Sequence, residues 1–412
     1  MPSKILLVDE YLSFNGGSGS YIAAIAESFA SRGHAVCRMH SAGSEGDSGH
    51  SNEEAVFVPG LFGFNYKNTS KGLRKIRQAV RSCKPDIIYV HQVLNPHVIS
   101  LLADLAPTIR FEHGFRLSCP SGRRDARARD SICRYPFSYR CMFRAHTQRC
   151  MPRNPFLALK RIADVYRNIE AHKKIEKIIV ASGYIKDLLT SSGLSPEQIE
   201  IIPYFVDLPK EPQLPRTQGK PVVLFVGRME LEKGAECLLE AVSRIGRSTK
   251  VVLAGEGCEA EKLKAMAQRL PEHEFEFPGW AGGEALVELY RAASVVVVPS
   301  VWPEPFGIVG IEAMSHAVPV VAFDVGGISE WLQDGKTGFL VPRKNIDKLA
   351  ARIRTVLDDA SLAEQLGRQG RAVMEKRFTA EVHMEKLLSA FVEAQALWSR
   401  RNLTRGHGHN GK

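Results

Sequence analysis

Apolar runs of four or five residues alternate with amphipathic segments down the first half of the chain, break off at a proline-rich stretch, and then resume. Ile5-Leu6-Leu7-Val8 is apolar at every position, the pattern of a strand covered on both faces. After a loop at Asn15-Gly16-Gly17-Ser18-Gly19, residues 20–32 place Ile22, Ile25, Phe29 and Ala30 at helical spacing. Further strands are predicted at 86–90, 109–111 and 177–181, and helices at 96–105 and from Tyr184 through Leu189. Leu208-Pro209-Lys210-Glu211-Pro212-Gln213-Leu214-Pro215 lacks periodicity and reads as a linker. Beyond it, strands at 222–226, 251–254 and 275–277 alternate with helices at 234–245, 260–269 and 284–292. The apolar run 292–298 then reads as a buried strand opening into a loop, and 308–316 as a helix. Alternation of this kind builds parallel sheets with helices on both faces. Ligands of such sheets sit beyond the carboxyl ends of the strands.

A chain of 412 residues is long enough for two such domains. The pattern divides it into a first domain over 1–207 with a Cys- and Arg-rich insertion over 116–153, a linker over 208–220, a second domain over 221–378, a C-terminal helix over 379–400, and a polar tail over 401–412 read as disordered. No apolar run reaches the ~18 residues of a membrane-spanning helix. Met1-Pro2-Ser3-Lys4 leads straight into a strand, so no secretory signal is visible and a cytoplasmic location is expected. The net charge of +10 favours anionic partners. Most of it comes from 116–153, which holds ten arginines, no lysine, and only Asp125 and Asp130 as acids.

Glu304 and Glu312 bracket Pro305-Phe306-Gly307-Ile308-Val309-Gly310-Ile311. On this reading Glu304 lies in a strand-to-helix loop. Glu312 lies four residues after Ile308, on a helix face that should be apolar. A carboxylate there is expensive unless paired or hydrogen-bonded. Spacing alone therefore leaves open both a structural ion pair or cap and a ligand-binding role.

The surrounding residues resemble the GT4 family of retaining, nucleotide-sugar-dependent glycosyltransferases. The match begins at Pro299-Ser300-Val301-Trp302-Pro303-Glu304 and runs through Glu312-Ala313-Met314. It continues with Val318-Pro319-Val320-Val321-Ala322, Gly326-Gly327 and Asp334-Gly335-Lys336-Thr337-Gly338. A second block is Phe225-Val226-Gly227-Arg228, followed by Glu232-Lys233-Gly234. Ala317 stands where the family usually has glycine. The resemblance implies the α/β GT-B fold, with two Rossmann-like domains facing each other across a deep cleft and the last helix packing back across both. It implies a hexosyltransferase that takes a sugar from a nucleoside diphosphate donor, UDP- or GDP-linked. The acceptor would be a glycan or a lipid-linked molecule, with retention, in cell-envelope or exopolysaccharide synthesis.

The same resemblance assigns roles. Arg228 and Lys233 hold the diphosphate and stabilise it as it leaves, so that no catalytic metal is required. Backbone amides of Phe306, Gly307 and Ile308 meet sugar and phosphate, Glu304 contacts donor sugar hydroxyls, and Glu312 the ribose. Gly255 and Gly257 flank the base, where Trp280 either stacks or belongs to the core. In the first domain Gly16 and Gly17 match the family's glycine pair. His113, in preference to its rival His91, matches the active-site histidine.

The arginine-rich segment also carries Cys119, Cys133, Cys141 and Cys150. Some GT4 members resemble its outline of His113, Cys119-Pro120 and further cysteines. The spacing has no Cys-x-x-Cys pair, and two readings stay open: a structural four-thiolate zinc site, or unpaired or redox-labile thiols. With Phe137, Tyr139, Met142 and Phe143 interleaved, the same arginines could rest on acidic membrane or hold an anionic acceptor. Two rival functions remain. A GT-B sugar 2-epimerase would want acid/base groups in a different frame. A nucleic-acid- or anion-binding protein would work through the arginines, but the segment has no binding signature, so no nucleic acid partner is expected.

Overall fold

The computed structural model describes residues 3–10, 17–41, 54–62, 69–126, 130–152, 154–209 and 220–407. The chain divides into two compact units, Met1–Pro203 with His383–Lys412, and Tyr204–Val382.

The first unit contains β1 (Lys4–Val8), α1 (Gly17–Ser31), β2 (Ala35–His40), β3 (Glu54–Phe57), α2 (Ser70–Cys83), β4 (Ile87–Val90), α3 (Pro96–Leu105) and β5 (Thr108–Glu112). Next come the small hairpin β6 (Asp125–Ala126) and β7 (Ser131–Ile132), then α4 (Cys141–Thr147), α5 (Pro155–His172), β8 (Lys177–Val180), α6 (Gly183–Ser191) and β9 (Ile199–Ile201). Its main sheet has the order β3-β2-β1-β4-β5-β8-β9, and its pairings are parallel. Ile5, Leu6, Leu7 and Val8 are all buried, as their unbroken apolar run requires. Helices start where a side chain can take up loose amides: Asn95 caps α3 and Asn154 caps α5, each with proline next, and Ser182 caps α6.

The second unit contains β10 (Val222–Val226), α7 (Ala235–Val242), β11 (Lys250–Ala254), α8 (Ala260–Ala267), β12 (Glu274–Gly279), α9 (Gly283–Ala292) and β13 (Val295–Val298). It continues with α10 (Ile308–Ser315), β14 (Val320–Phe323), β15 (Gly338–Val341), α11 (Ile346–Asp358) and α12 (Ala360–Arg377). The order is β12-β11-β10-β13-β14-β15, again parallel. In both sheets the strand order reverses direction beside the first strand, between β1 and β4 in one and between β10 and β13 in the other. Ala317 completes its turn with φ of 59°, in the left-handed region that glycine would occupy without strain.

Three expectations are corrected. Gly17, Ser18 and Gly19 are the first turn of α1, not loop; Gly16 lies outside the described residues. Pro278 and Gly279 end strand β12. The last helix, α13 (Ala380–His407), runs through residues 401–407, where the polar composition predicts disorder. It continues because Arg401 is tied down: its guanidinium donates to the carbonyls of Ala103 (2.6 Å) and Lys174 and pairs with Glu176 at 2.9 Å. From His383 onward α13 belongs to the first unit, where Phe391 packs on Phe29 and Tyr89. No helix among the described residues is long and apolar enough to cross a membrane.

Candidate functional site

In the second unit the loops after β10 and β13 lie side by side because those strands are neighbours. They are also sewn together. The Val301 amide donates to the Glu232 carbonyl at 3.0 Å. Gly234, with φ of 70°, lies so close that a Cβ there would fall 1.9 Å from the Pro299 carbonyl oxygen. This is the switch point of the sheet, where open α/β sheets bind ligands.

The join positions the predicted residues. Lys233 Nζ is 2.7 Å from Glu304 Oε1, and the Ser300 hydroxyl donates to the same oxygen at 2.5 Å. The Glu304 side chain is only 7% exposed. Its backbone carbonyl accepts from the Gly327 amide at 2.8 Å. Burial alone would raise the Glu304 pKa, but the Lys233 charge and the bonds from Lys233 and Ser300 bring it below the ordinary carboxylate value. It is thus an anion. Lys233 keeps two further ammonium protons and lies 5.5 Å from the Trp302 ring centre. Arg228 is more open and bridges Glu230 (2.7 Å) and Glu232 (2.8 Å). Exposed pairs of this kind are worth ~0–1 kcal/mol and exchange readily for a better anion.

Glu312 is held differently. No cation pairs with it among the described residues. Instead the buried Tyr290 phenol, at the end of α9, donates to its Oε2 at 2.7 Å. Tyr290 is itself fixed by stacking on His316, with ring centres 5.3 Å apart. Burial raises the Glu312 pKa, and the Tyr290 bond only partly offsets this. One carboxylate oxygen is anchored; no described residue takes the other. No sequence motif marks Tyr290, which lies 22 residues upstream. At the start of α10, no described residue accepts from the amides of Phe306, Gly307 and Ile308. The Phe306 side chain belongs to the core, against Tyr204 and Phe378, so only its backbone can serve a ligand.

Gly255 and Gly257 do a packing job: a Cβ would come within 1.9 Å of the Gly227 carbonyl oxygen and 2.4 Å of that of Met229, respectively. They let the β11 exit lie on the β10 exit. Trp280 is 57% exposed, which excludes the core alternative.

In the first unit the rival histidines bond to each other, His91 Nδ1 to His113 Nε2 at 3.1 Å. His91 is fully buried and His113 is only half-buried, so His113 is the one presented. Burial, with the nearby Arg110 charge, pulls the His113 pKa down to about 3. Both imidazoles are therefore neutral near pH 7. Arg110 is locked on Glu112 (2.8 Å) and donates to the Val93 carbonyl (2.6 Å). Gly17 opens α1 and is exposed.

Cys119, Cys133, Cys141 and Cys150 line one cavity, with Arg124, Arg144 and Phe137. They are not disulfide-bonded. Burial and the neighbouring thiols push the Cys150 pKa up to about 12. Among the described residues, no three His, Cys, Asp or Glu side chains stand ready-arranged around a metal position. Cys119 Sγ turns to Ser121 Oγ (3.2 Å) and Cys150 Sγ to the Arg144 carbonyl (3.9 Å). Phe137, expected among the surface aromatics, is buried on Tyr166. Tyr139, Met142 and Phe143 are exposed, as is Phe156 on α5.

The family model described as Glycosyltransferase Family 4 matches residues 15–210, and that described as Glycosyl transferases group 1 matches residues 209–373. An uncharacterised glycosyltransferase of Methanocaldococcus jannaschii is 39% identical over 148 residues, covering 35% of this chain and 38% of that protein. Glycogen synthase of Mycobacterium tuberculosis is 30% identical over 229 residues, covering 53% of each. The match thus spans about half or less of these curated relatives' length. Among solved structures, Anabaena HepE in complex with UDP and glucose superimposes with a TM-score of 0.68 at 19% identity, covering 95% of this chain and 99% of that one. At that identity the likeness concerns the fold.

Proposed function

Because the chain belongs to the glycosyltransferases of family 4 and group 1, which its two halves match in order, we propose that it is a retaining hexosyltransferase. It moves a sugar from a nucleoside diphosphate donor to a glycan or lipid-linked acceptor. The observation that carries this reading is the Lys233–Glu304 pair at the β10–β13 switch point. A fixed ammonium with protons to spare, an exchangeable guanidinium on Arg228 and the open amides of α10 make an anion cradle. A diphosphate fits it and is stabilised there as it gains charge on leaving.

Glu304 is an ion-paired anion, which excludes it as a general acid, and in this reading it positions donor sugar hydroxyls. On this reading the acceptor attacks from the front face, and the departing phosphate takes its proton. Glu312 accepts from the ribose diol through the oxygen that Tyr290 leaves open. The neutral His113 serves as a hydrogen-bonding partner of a sugar hydroxyl. Trp280 is free to stack on the base. The donor is UDP- or GDP-linked; UDP is the nucleotide bound in the HepE neighbour.

Thermal unfolding in the presence of a panel of nucleotide sugars tests the reading, because a ligand that binds only the folded chain raises its midpoint. One donor should stand out, and its sugar should appear on an acceptor with its anomeric configuration kept. A panel without any shift or transfer would overturn it.

A further inference from the structure

We propose that Cys119, Cys133, Cys141 and Cys150 are the four ligands of one structural zinc ion. The first observation is convergence: thiols spread over 32 residues line a single cavity of about 30 Å³. That space suits one ion or one water. The second is the charge around it. Arg124 lines the same cavity and is buried, yet no carboxylate pairs with it among the described residues. Its guanidinium donates to the Tyr135 carbonyl at 2.9 Å and hydrogen-bonds the Tyr184 side chain, both neutral groups, while its buried Nε has no partner among the described residues. Arg144 also lines the cavity, lying over the Tyr135 ring. A buried cation without a counter-ion is costly, and thiolates of the cavity it lines would supply one.

Zinc supplies it with balanced chemistry. Each of four S–H bonds gives its proton to solvent, four Zn–S bonds form, and the dication with four thiolates carries a net charge of −2. Four thiolates alone would repel one another, and four thiols alone would leave Arg124 with neutral partners only. The third observation is the need for a staple. Between β5 and α5 the described regular structure is a hairpin of two-residue strands and the seven-residue α4. Yet Phe115, Leu117, Phe137 and Met151 in this stretch are buried. Segments this poor in regular structure commonly depend on a metal or disulfides. Binding requires the thiols of Cys119 and Cys150 to rotate away from Ser121 and the Arg144 carbonyl into the cavity.

The full chain, purified without chelator, should carry one zinc that a mercurial releases and that protects four of its eight cysteines from a thiol reagent. Cobalt put in its place should show thiolate-to-metal charge transfer and tetrahedral ligand-field bands. Cys133→Ser with Cys150→Ser should lose the metal, whereas Cys258→Ser, at an exposed cysteine, should keep it. If the double variant fails to fold, the cobalt spectrum and thiol protection of the unaltered chain still decide. A metal-free chain that takes up neither ion, or one lighter by the mass of lost thiol hydrogens because disulfides have formed, overturns the proposal. Transfer activity is not the readout, so the two proposals fail separately.

Discussion

Opposed forces act on the Glu304 carboxyl: burial favours its neutral form and Lys233 its anion, and the anion prevails. With its folded pKa depressed, Glu304 contributes stability that is present above its unfolded value and lost as pH falls through the folded one. Lys233→Ala removes the winning force. Transfer should fall roughly 10²–10³-fold, the scale of losing one electrostatic stabiliser. Burial then raises the Glu304 pKa above its unfolded value, so the variant should become less stable as pH rises towards neutrality, the reverse of its parent's trend from this group. Denaturant midpoints across pH, beside transfer rates, check both. Glu312→Gln keeps an acceptor for Tyr290 but loses the charge offered to the ribose. Donor affinity should drop about 10–100-fold with the fold intact; unfolding without loss of affinity would make Glu312 structural. Because burial raises Glu312, donor affinity in the parent should weaken on acidification at a higher pH than an ordinary glutamate would cause. Both glutamates are legible from the seven residues between them and the motif around them. Tyr290, which supports Glu312, is not, and neither is the pairing of His91 with His113 in the first unit: both come from elements brought together only by the fold.

Helices and strands are legible where their pattern is local. β10 and α3 match residue for residue, since an apolar run and an Asn-Pro cap need no distant help. The end of α13 is not legible, because its polar composition hides what Arg401 reaches. Glu176, its partner, is buried, and burial pushes its pKa up to about 7. Stability from that group is therefore fullest below its unfolded value and is lost as pH rises through about 7. Arg401→Ala should raise Glu176 further, fray the helix end, and lower the melting temperature more at pH 8 than at pH 5, as calorimetry at the two values would show. The exposed flank of α4 and α5 belongs to the same scale. Phe143, which shares α4 and its N-cap with Arg144 and Arg140, is 74% exposed, and Phe156 in the first turn of α5 is 82% exposed. The chain should co-sediment with acidic vesicles at low salt and be released as salt rises. Phe143→Ser with Phe156→Ser should weaken that binding; a parent chain that stays in the supernatant removes the membrane from the acceptor's description.

Over the whole molecule, the two-sheet plan is visible as an alternation that stops and restarts, but the route of the chain is not. The second unit is one continuous stretch, whereas the first is closed by a helix from the far end. Residues 204–382 alone should fold and bind the donor, as titration calorimetry would register. Residues 1–203 alone should not fold stably, because Phe29 and Tyr89 lose Phe391, and the surface that α13 covers with Met384 and Leu387 opens to water. The same discontinuity sets a timetable on the ribosome. After Pro203 has been made, the nascent first unit waits for the helix from His383 onward, on the order of 10–40 s at roughly 5–20 residues per second. The half begun first is thus the half completed last, and during that interval its unfinished apolar face is the surface a chaperone would meet.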